Sequence, residues 1–268
     1  MIRRFLPVLA ALLMTTPAFS QSLWLDRQSR PSILGEVLFP SFEGGDTEFP
    51  TWAWFVSGKL PVGDGTSLVL EVPYAHGDVG EGPGSSGGSI GNPYLGIDFQ
   101  PKPTGLILEA GLRLPLESDE EFLPFIIGTA SDVDRWEAFW PNLVPIRLGF
   151  HYHHAPSGPT TPIAWDLRFV PSVWIPTQDG GDTELFLGYG GTVRYEGEQV
   201  RVGAGLGGRW DATAEGADFS ESSWHQIDLA ADFLPGSVRP GLQLKMPLDD
   251  GLIDTTNLAW GVTLTVLP

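Results

Sequence analysis

The sequence predicts an all-β fold, an antiparallel up-and-down barrel of about twelve strands that crosses a membrane. Three observations predict it. Apolar and polar residues alternate through nearly the whole chain beyond residue 20. Most alternating stretches reach the roughly 9–11 residues that a tilted strand needs to cross a bilayer, longer than the mode near 5–6 of soluble strands. The connections run alternately short and long, as in outer-membrane barrels with short periplasmic turns and longer outer loops.

Composition agrees. The chain has 34 Gly and 24 Pro in 268 residues, both poor helix formers. Its 10 Trp and 15 Phe exclude a disordered chain. Without Cys there is no disulfide framework, thiolate metal site or Cys nucleophile. A net charge of −18 makes nucleic acid an unsuitable partner, because phosphate binding needs a basic face. The mean hydropathy of +0.01 is too low for a bundle of membrane helices.

The first segment reads as a secretory signal peptide, 1–20, followed by one mature domain, 21–268. Arg3 and Arg4 supply the charge, Phe5 to Met14 the apolar run, and Ala18-Phe19-Ser20 the small-x-small cleavage site. The run is too short for a spanning helix.

The strands are expected at 33–39, 51–60, 66–75, 92–100, 105–116, 143–153, 162–176, 184–196, 199–211, 223–234, 238–248 and 257–267. In 66–75, Leu68, Leu70, Val72 and Tyr74 oppose Ser67 and Glu71. In 105–116, Leu106, Leu108, Ala110, Leu112 and Leu114 oppose Glu109 and Arg113. Next, Ile146, Leu148, Phe150 and Tyr152 oppose Arg147, His151 and His153; Ile163, Trp165, Leu167 and Phe169 oppose Asp166 and Arg168. Leu185, Leu187, Tyr189, Val193 and Tyr195 oppose Phe186, Thr192 and Arg194, and Glu196-Gly197-Glu198 turns the chain. The stretch 199–211 is the clearest, with Val200, Val202, Ala204, Leu206 and Trp210 opposite Arg201 and Arg209. Ile227, Leu229 and Phe233 oppose Asp228 and Asp232; Leu242, Leu244 and Met246 oppose Arg239, Gln243 and Lys245. Leu258, Trp260, Val262, Leu264 and Val266 close the chain.

The non-apolar face therefore gathers Lys59, Glu71, Asp98, Glu109, Arg113, Arg147, Asp166, Arg168, Arg194, Arg201, Arg209, Asp228, Asp232, Arg239 and Lys245. A lipid-facing Arg or Lys at mid-bilayer costs about 2–4 kcal/mol, so this face is expected to line the lumen. Basic and acidic groups fall on different strands. They would either set a field across a narrow pore or pair and fill the barrel. Arg201 and Arg209 lie on one face, and Arg194 is expected near Arg201, with Asp228 and Asp232 as countercharges. The apolar face carries Trp52, Trp54, Tyr74, Trp165, Tyr195, Trp210 and Trp260, many near strand ends, as aromatic girdles require. A soluble barrel with the faces reversed is the alternative layout.

Ser131 to Pro141, in the longest loop, reads as a short helix capped by Ser131. Its Trp136, Phe139 and Trp140 are expected to fold over the pore mouth or rest in the lipid interface. Acidic clusters at Glu43, Asp46, Glu48; Asp132, Asp134, Glu137; Asp179, Asp182, Glu184; and Asp249, Asp250, Asp254 read as a solvated outer surface to which divalent cations could bind. None follows Ca²⁺-loop spacing. His151 and His153 share a face, but no carboxylate adjoins them in sequence, and no Gly-x-Ser-x-Gly is present. Ser157 reads as a turn residue. No catalytic, metal or cofactor residue is assigned.

Leu70-Glu71-Val72-Pro73-Tyr74-Ala75, Ile90-Gly91-Asn92-Pro93-Tyr94-Leu95-Gly96-Ile97-Asp98 and Gly111-Leu112-Arg113-Leu114-Pro115 resemble bacterial outer-membrane transporter barrels, including the phenol-degradation meta-pathway family. These motifs are short and cover about a fifth of the chain. The resemblance implies an outer-membrane transporter, with aromatic or apolar compounds among its solutes. One departure is the ending Val266-Leu267-Pro268, where such barrels usually carry an aromatic residue. The expected function is thus a passive channel for small solutes, held in outer-membrane lipid and not an enzyme. The alternatives are a structural or adhesive barrel with a salt-bridged lumen, or a membrane-embedded hydrolase.

Overall fold

The computed structural model describes residues 31–42, 51–78, 86–101, 105–117, 122–154, 162–249 and 256–267. The expected signal peptide 1–20, Glu43, Asp46, Glu48, Ser157, Asp250, Asp254 and Pro268 lie outside the described residues. Among these residues the strands are β1 (Ser32–Phe42), β2 (Trp52–Gly63), β3 (Thr66–Asp78), β4 (Ser86–Ile90), β5 (Tyr94–Phe99), β6 (Leu106–Arg113), β7 (Leu143–His154), β8 (Ile163–Pro176), β9 (Glu184–Glu196), β10 (Val200–Asp211), β11 (Ser223–Phe233), β12 (Val238–Pro247) and β13 (Thr256–Val266). One α-helix, α1 (Phe122–Ser131), and a 3-10 segment, Val133–Ala138, lie between β6 and β7.

All neighbouring strands pair antiparallel in chain order, and β1 pairs with both β2 and β13. The sheet therefore closes on itself, which satisfies its backbone groups without water. β3 pairs with β5 along Thr66–Glu71 and with β4 along Tyr74–Asp78. β4 and β5 are thus one barrel stave in two pieces, and the ring has twelve staves. The sequence reading placed one strand at 92–100. The stave instead breaks at Gly91-Asn92-Pro93 because Pro93 cannot donate to a ladder and the Asn92 backbone turns inward, its N–H donating to Ala138 O at 2.6 Å.

The barrel is apolar outside and charged inside, which excludes the soluble layout. Leu148, Leu167, Val193 and Leu264 are exposed, whereas Glu71, Glu109, Arg113, Arg147 and Arg194 are buried. The inward side chains belong to alternate positions of each strand, so the period-2 pattern fixes both faces at once. Outward aromatics collect near the two ends. Trp52, Trp54 and Tyr74 stack toward the long-loop end, with Phe39 on Trp260 close by. Tyr152 and Trp165 pack toward the short-turn end, where Tyr195 is also exposed.

Short turns such as Asp64-Gly65 and 197–199 join strands at one end; longer connections such as 212–222 join them at the other. Gly65 sits at φ +69°, and a Cβ there would strike the Gln100 carbonyl, so the turn requires glycine. Arg201 pairs opposite Asp232, which accepts from its Nε at 2.8 Å, and Arg194 stands opposite Gly203, one diagonal away. Asp228 serves Lys245 instead, at 3.1 Å.

Candidate functional site

The described part of the connection between β6 and β7, residues 122–142, does not rest on the outer rim. It folds into the long-loop half of the lumen and fills it. The sequence reading expected one helix over 131–141; the structure has α1 ending at Ser131, whose hydroxyl donates back to Ile127 O at 2.7 Å. The cap of the following 3-10 segment is Asp132, whose carboxylate accepts from Asp134 N at 3.0 Å. A Ser at the end of an apolar helix can satisfy a preceding carbonyl, while Asp is the better start for the next turn.

Two apolar contacts seat this plug. Ile127, Ala138 and Phe139 pack on Leu38, Ala53, Phe55 and Ala75 of the wall. Val133 and Trp136 pack on Leu143, Trp174 and Phe186, with Trp224 beside them. Trp136 and Phe139 are therefore buried inside the barrel, and Trp140 caps the packing, edge-on to Phe125 and tilted against Trp174. Gly91 allows the closest approach, since a Cβ there would collide with Ala138 O.

The charges on the plug mirror those on the wall. Arg135 reaches the acidic wall: its Nη1 lies 2.8 Å from Glu36 and 3.1 Å from Glu71, and its Nε lies 2.6 Å from Asp132. Its guanidinium also stacks 3.6 Å from the Phe55 ring centroid. On the opposite side, Asp134 accepts from both terminal nitrogens of Arg168, one at 2.6 Å. Glu137 accepts from Arg147 and, at 2.6 Å, from Arg209, with Arg113 Nε at 3.6 Å. Asp132 takes Lys245 at 3.3 Å and Gln226 at 3.3 Å.

Asn92 ties the plug to the broken stave. Its amide donates to Glu137 O at 3.0 Å and Trp140 O at 2.7 Å. Its Oδ1 accepts from Leu116 N and Glu117 N, each at 2.9 Å. One side chain thus holds both limbs of the inward loop.

Electrostatics follow from burial against partners. Burial alone would raise the Asp132 and Asp134 carboxyls. Lys245 and Arg135 outweigh it at Asp132, and Arg168 outweighs it at Asp134, so both stay below the usual carboxylate range. Burial likewise works against Glu137, but Arg209, Arg147 and Arg113 hold it down to about 2. Burial disfavours the Arg135 cation; Glu36, Asp132 and Glu71 reverse this and raise it above its ordinary value.

The short-turn half of the lumen is different. Lys59 and Asp98 pair at 2.9 Å beside a cavity of about 510 Å³, bounded also by Ser67, Gln100 and Ile107. His151 meets Glu109 at 2.6 Å, and His153 meets Asp166 at 2.7 Å. Asp166 also takes Arg194 at 2.7 Å.

The structure thus brings together most of the charged residues that the sequence put on one face. Lys59, Glu71, Asp98, Glu109, Arg113, Arg147, Arg168, Arg194, Arg201, Arg209, Asp228, Asp232 and Lys245 are buried on the inner wall, and Asp166 is partly so. Arg239 departs: it lies at the short-turn rim, half-buried, with its Nε donating to Gly236 O at 3.2 Å. The outer-surface reading of Asp132, Asp134 and Glu137 is corrected. They are inside, paired with arginine and lysine side chains instead of facing solvent. Asp179 and Asp182 are exposed, and Asp249 accepts from His225 at 3.0 Å. Among the described residues no three His or carboxylate groups converge as a metal site. His151 and His153 do have carboxylate partners, supplied across the sheet from β6 and β8, where sequence adjacency could not show them. Glu36, Asn92 and Arg135 were missed by the sequence reading.

A closed twelve-stave barrel with an apolar outside, aromatic ends and a charged interior is an outer-membrane β-barrel. The architecture is shared with the COG4313 outer membrane channel from Pseudomonas putida F1, at 13% identity and a TM-score of 0.59, over 92% of this chain and 98% of that one. It is also shared with the NanC porin, at 6% identity and 0.52, over 88% and 98% of the chains. LpxR from Salmonella typhimurium matches at 11% identity and 0.52, over 88% of this chain and 100% of that one. No family model matches the chain, and no curated protein matches its sequence.

Proposed function

We propose that this chain is an outer-membrane channel for small solutes whose lumen is closed by the 122–142 segment. The observation that carries the reading is the charge match between plug and wall. One cation, Arg135, faces the acidic wall, and two anions, Asp134 and Glu137, face the basic wall. A segment held by ion pairs, two apolar contacts and one asparagine at a broken stave can leave as a unit, while the closed sheet keeps its own hydrogen bonds. The barrels of two similar structures carry names of a channel and a porin, which fits this reading.

The inner charges act as the solute-facing wall in this proposal. Arg147, Arg168 and Arg209 set one side, and Glu36 and Glu71 the other. The chain is non-enzymatic here: His151 and His153 hold wall carboxylates, and a lipase assay on purified protein is expected to read zero. Single-channel recording in planar bilayers tests the channel. Rare openings in the wild type and frequent ones after plug release support it; no conductance in either sinks it.

One observation favours a second reading. The interior charges of the long-loop half are so fully paired that a permanently sealed, structural barrel would look the same. Plug-release variants that stay non-conducting would favour it.

A further inference from the structure

Glu137 is held in an unusual way for a loop residue inside a barrel. Its two oxygens divide among three wall arginines, Arg147 and Arg113 on Oε1 and Arg209 on Oε2. Those arginines come from three different strands, β6, β7 and β10. They therefore keep their places when the loop leaves, because the closed sheet and not the loop positions them. Arg209 also has an apolar floor: its guanidinium lies 5.2 Å from the Trp174 ring centroid and 5.8 Å from that of Phe186. Its Nη1 is buried and, among the described residues, has no hydrogen-bond partner. A buried guanidinium donor left unsatisfied is costly, and a forked pair of donors over an aromatic surface suits a planar carboxylate.

From this geometry we infer that Arg113, Arg147 and Arg209 form a carboxylate-binding station in the lumen, and that Glu137 is its tethered internal competitor. The inference rests on the channel reading and names its solute class: small organic monocarboxylates with a flat apolar body. Such a solute places its carboxylate where Glu137 sits and its body on Trp174 and Phe186. Because Glu137 is tethered, it competes at an effective concentration in the millimolar range or above. Solute and plug then exclude each other, so binding favours the undocked loop.

The probe pair is benzoate and its neutral counterpart benzyl alcohol, titrated calorimetrically into the full chain in detergent. Glu137→Gln keeps the shape of the side chain and removes its charge. Benzoate is expected to bind this variant at least about tenfold more tightly than the wild type. Adding Arg209→Gln is expected to reverse the gain, and benzyl alcohol is expected to bind all three forms equally weakly. In the wild type, benzoate but not benzyl alcohol is expected to speed hydrogen exchange at Val133 to Ala138, a readout that needs no variant to fold. Equal binding of the two probes, or no difference between Glu137→Gln and the wild type, overturns the station. If Glu137→Gln conducts in bilayers but ignores benzoate, the station falls and the channel stands. If benzoate binds as described but no variant conducts, the station stands and the channel reading falls.

Discussion

The two halves of the lumen are built on the same alternating strands but solve their buried charges differently. In the short-turn half, wall pairs with wall: Lys59 with Asp98, Arg194 with Asp166, Arg201 with Asp232. Those pairs lie on neighbouring or nearby strands and leave a cavity of about 510 Å³. In the long-loop half, wall pairs with plug, and the space is filled. A pair made within the sheet survives any loop movement. A pair made with the plug exists only while the plug is docked. The comparison teaches that closure is a property of the loop's charges and not of the barrel.

The change expected to break this contrast most is Arg135→Ala. It removes the cation shared by Glu36, Glu71 and Asp132. Removing one partner of a buried ion-pair cluster typically costs about 3–5 kcal/mol, which should fall on plug docking. Protease cleavage between α1 and β7 should become rapid, while heat-modifiable gel migration still reports a folded barrel.

Acid is expected to act almost as strongly on the plug. Glu137 is depressed, from 4.5 to about 2, so its contribution to docking is fully present above about pH 4.5 and is lost as pH falls toward 2. At about 1.4 kcal/mol per pH unit this carboxylate supports docking by about 3 kcal/mol at neutral pH. Asp132 and Asp134 are lowered too and act in the same direction. The protection of the Val133 to Ala138 amides, their exchange rate divided into the intrinsic rate at each pH, should therefore hold from pH 7 to about 4.5 and fall below it. Protection that falls as pH rises from 5 to 8 would contradict the assignment.

Asn92→Ala is expected to cost less. It deletes the two amide donations and two acceptances that join the loop limbs. At about 0.5–1 kcal/mol each, the lower part of the usual range and apt for neutral hydrogen bonds, the loss should be about 2–4 kcal/mol, visible as faster exchange at Leu116 and Glu117. The smallest effect should come from the other half. Arg194→Ala with Arg201→Ala leaves Asp166 and Asp232 without those guanidinium groups, so the reversal potential of a plug-released channel should shift toward cations. Plug exchange should not move.

Much of this contrast was hidden in the sequence, for reasons that particular residues explain. The strands were legible because their period of two sorts lipid from lumen; 184–196 is reproduced to the residue as β9. That Asp232 lies beside Arg201 followed from the same pattern, which puts both on the inner face of successive strands. The plug was not legible. Phe122–Ser131 is apolar nearly all round, with Pro124 and Gly128 inside, so it offers no amphipathic period. Asp132, Asp134 and Glu137 looked like a solvated acidic loop because their wall partners lie 10 to 113 positions away and only the closed ring brings them together. The Gly91-Asn92-Pro93 motif was visible in the resemblance, but its task, breaking a stave to grip the loop, needed the structure.

The central claim is that the plug's charges close the long-loop half. Single-channel recording of the wild type beside the double variant Arg135→Gln, Glu137→Gln tests it most directly. The account predicts a wild type that is closed most of the time and a variant that stays open, with the open conductance the same in both. Equal open probability in the two proteins would contradict it.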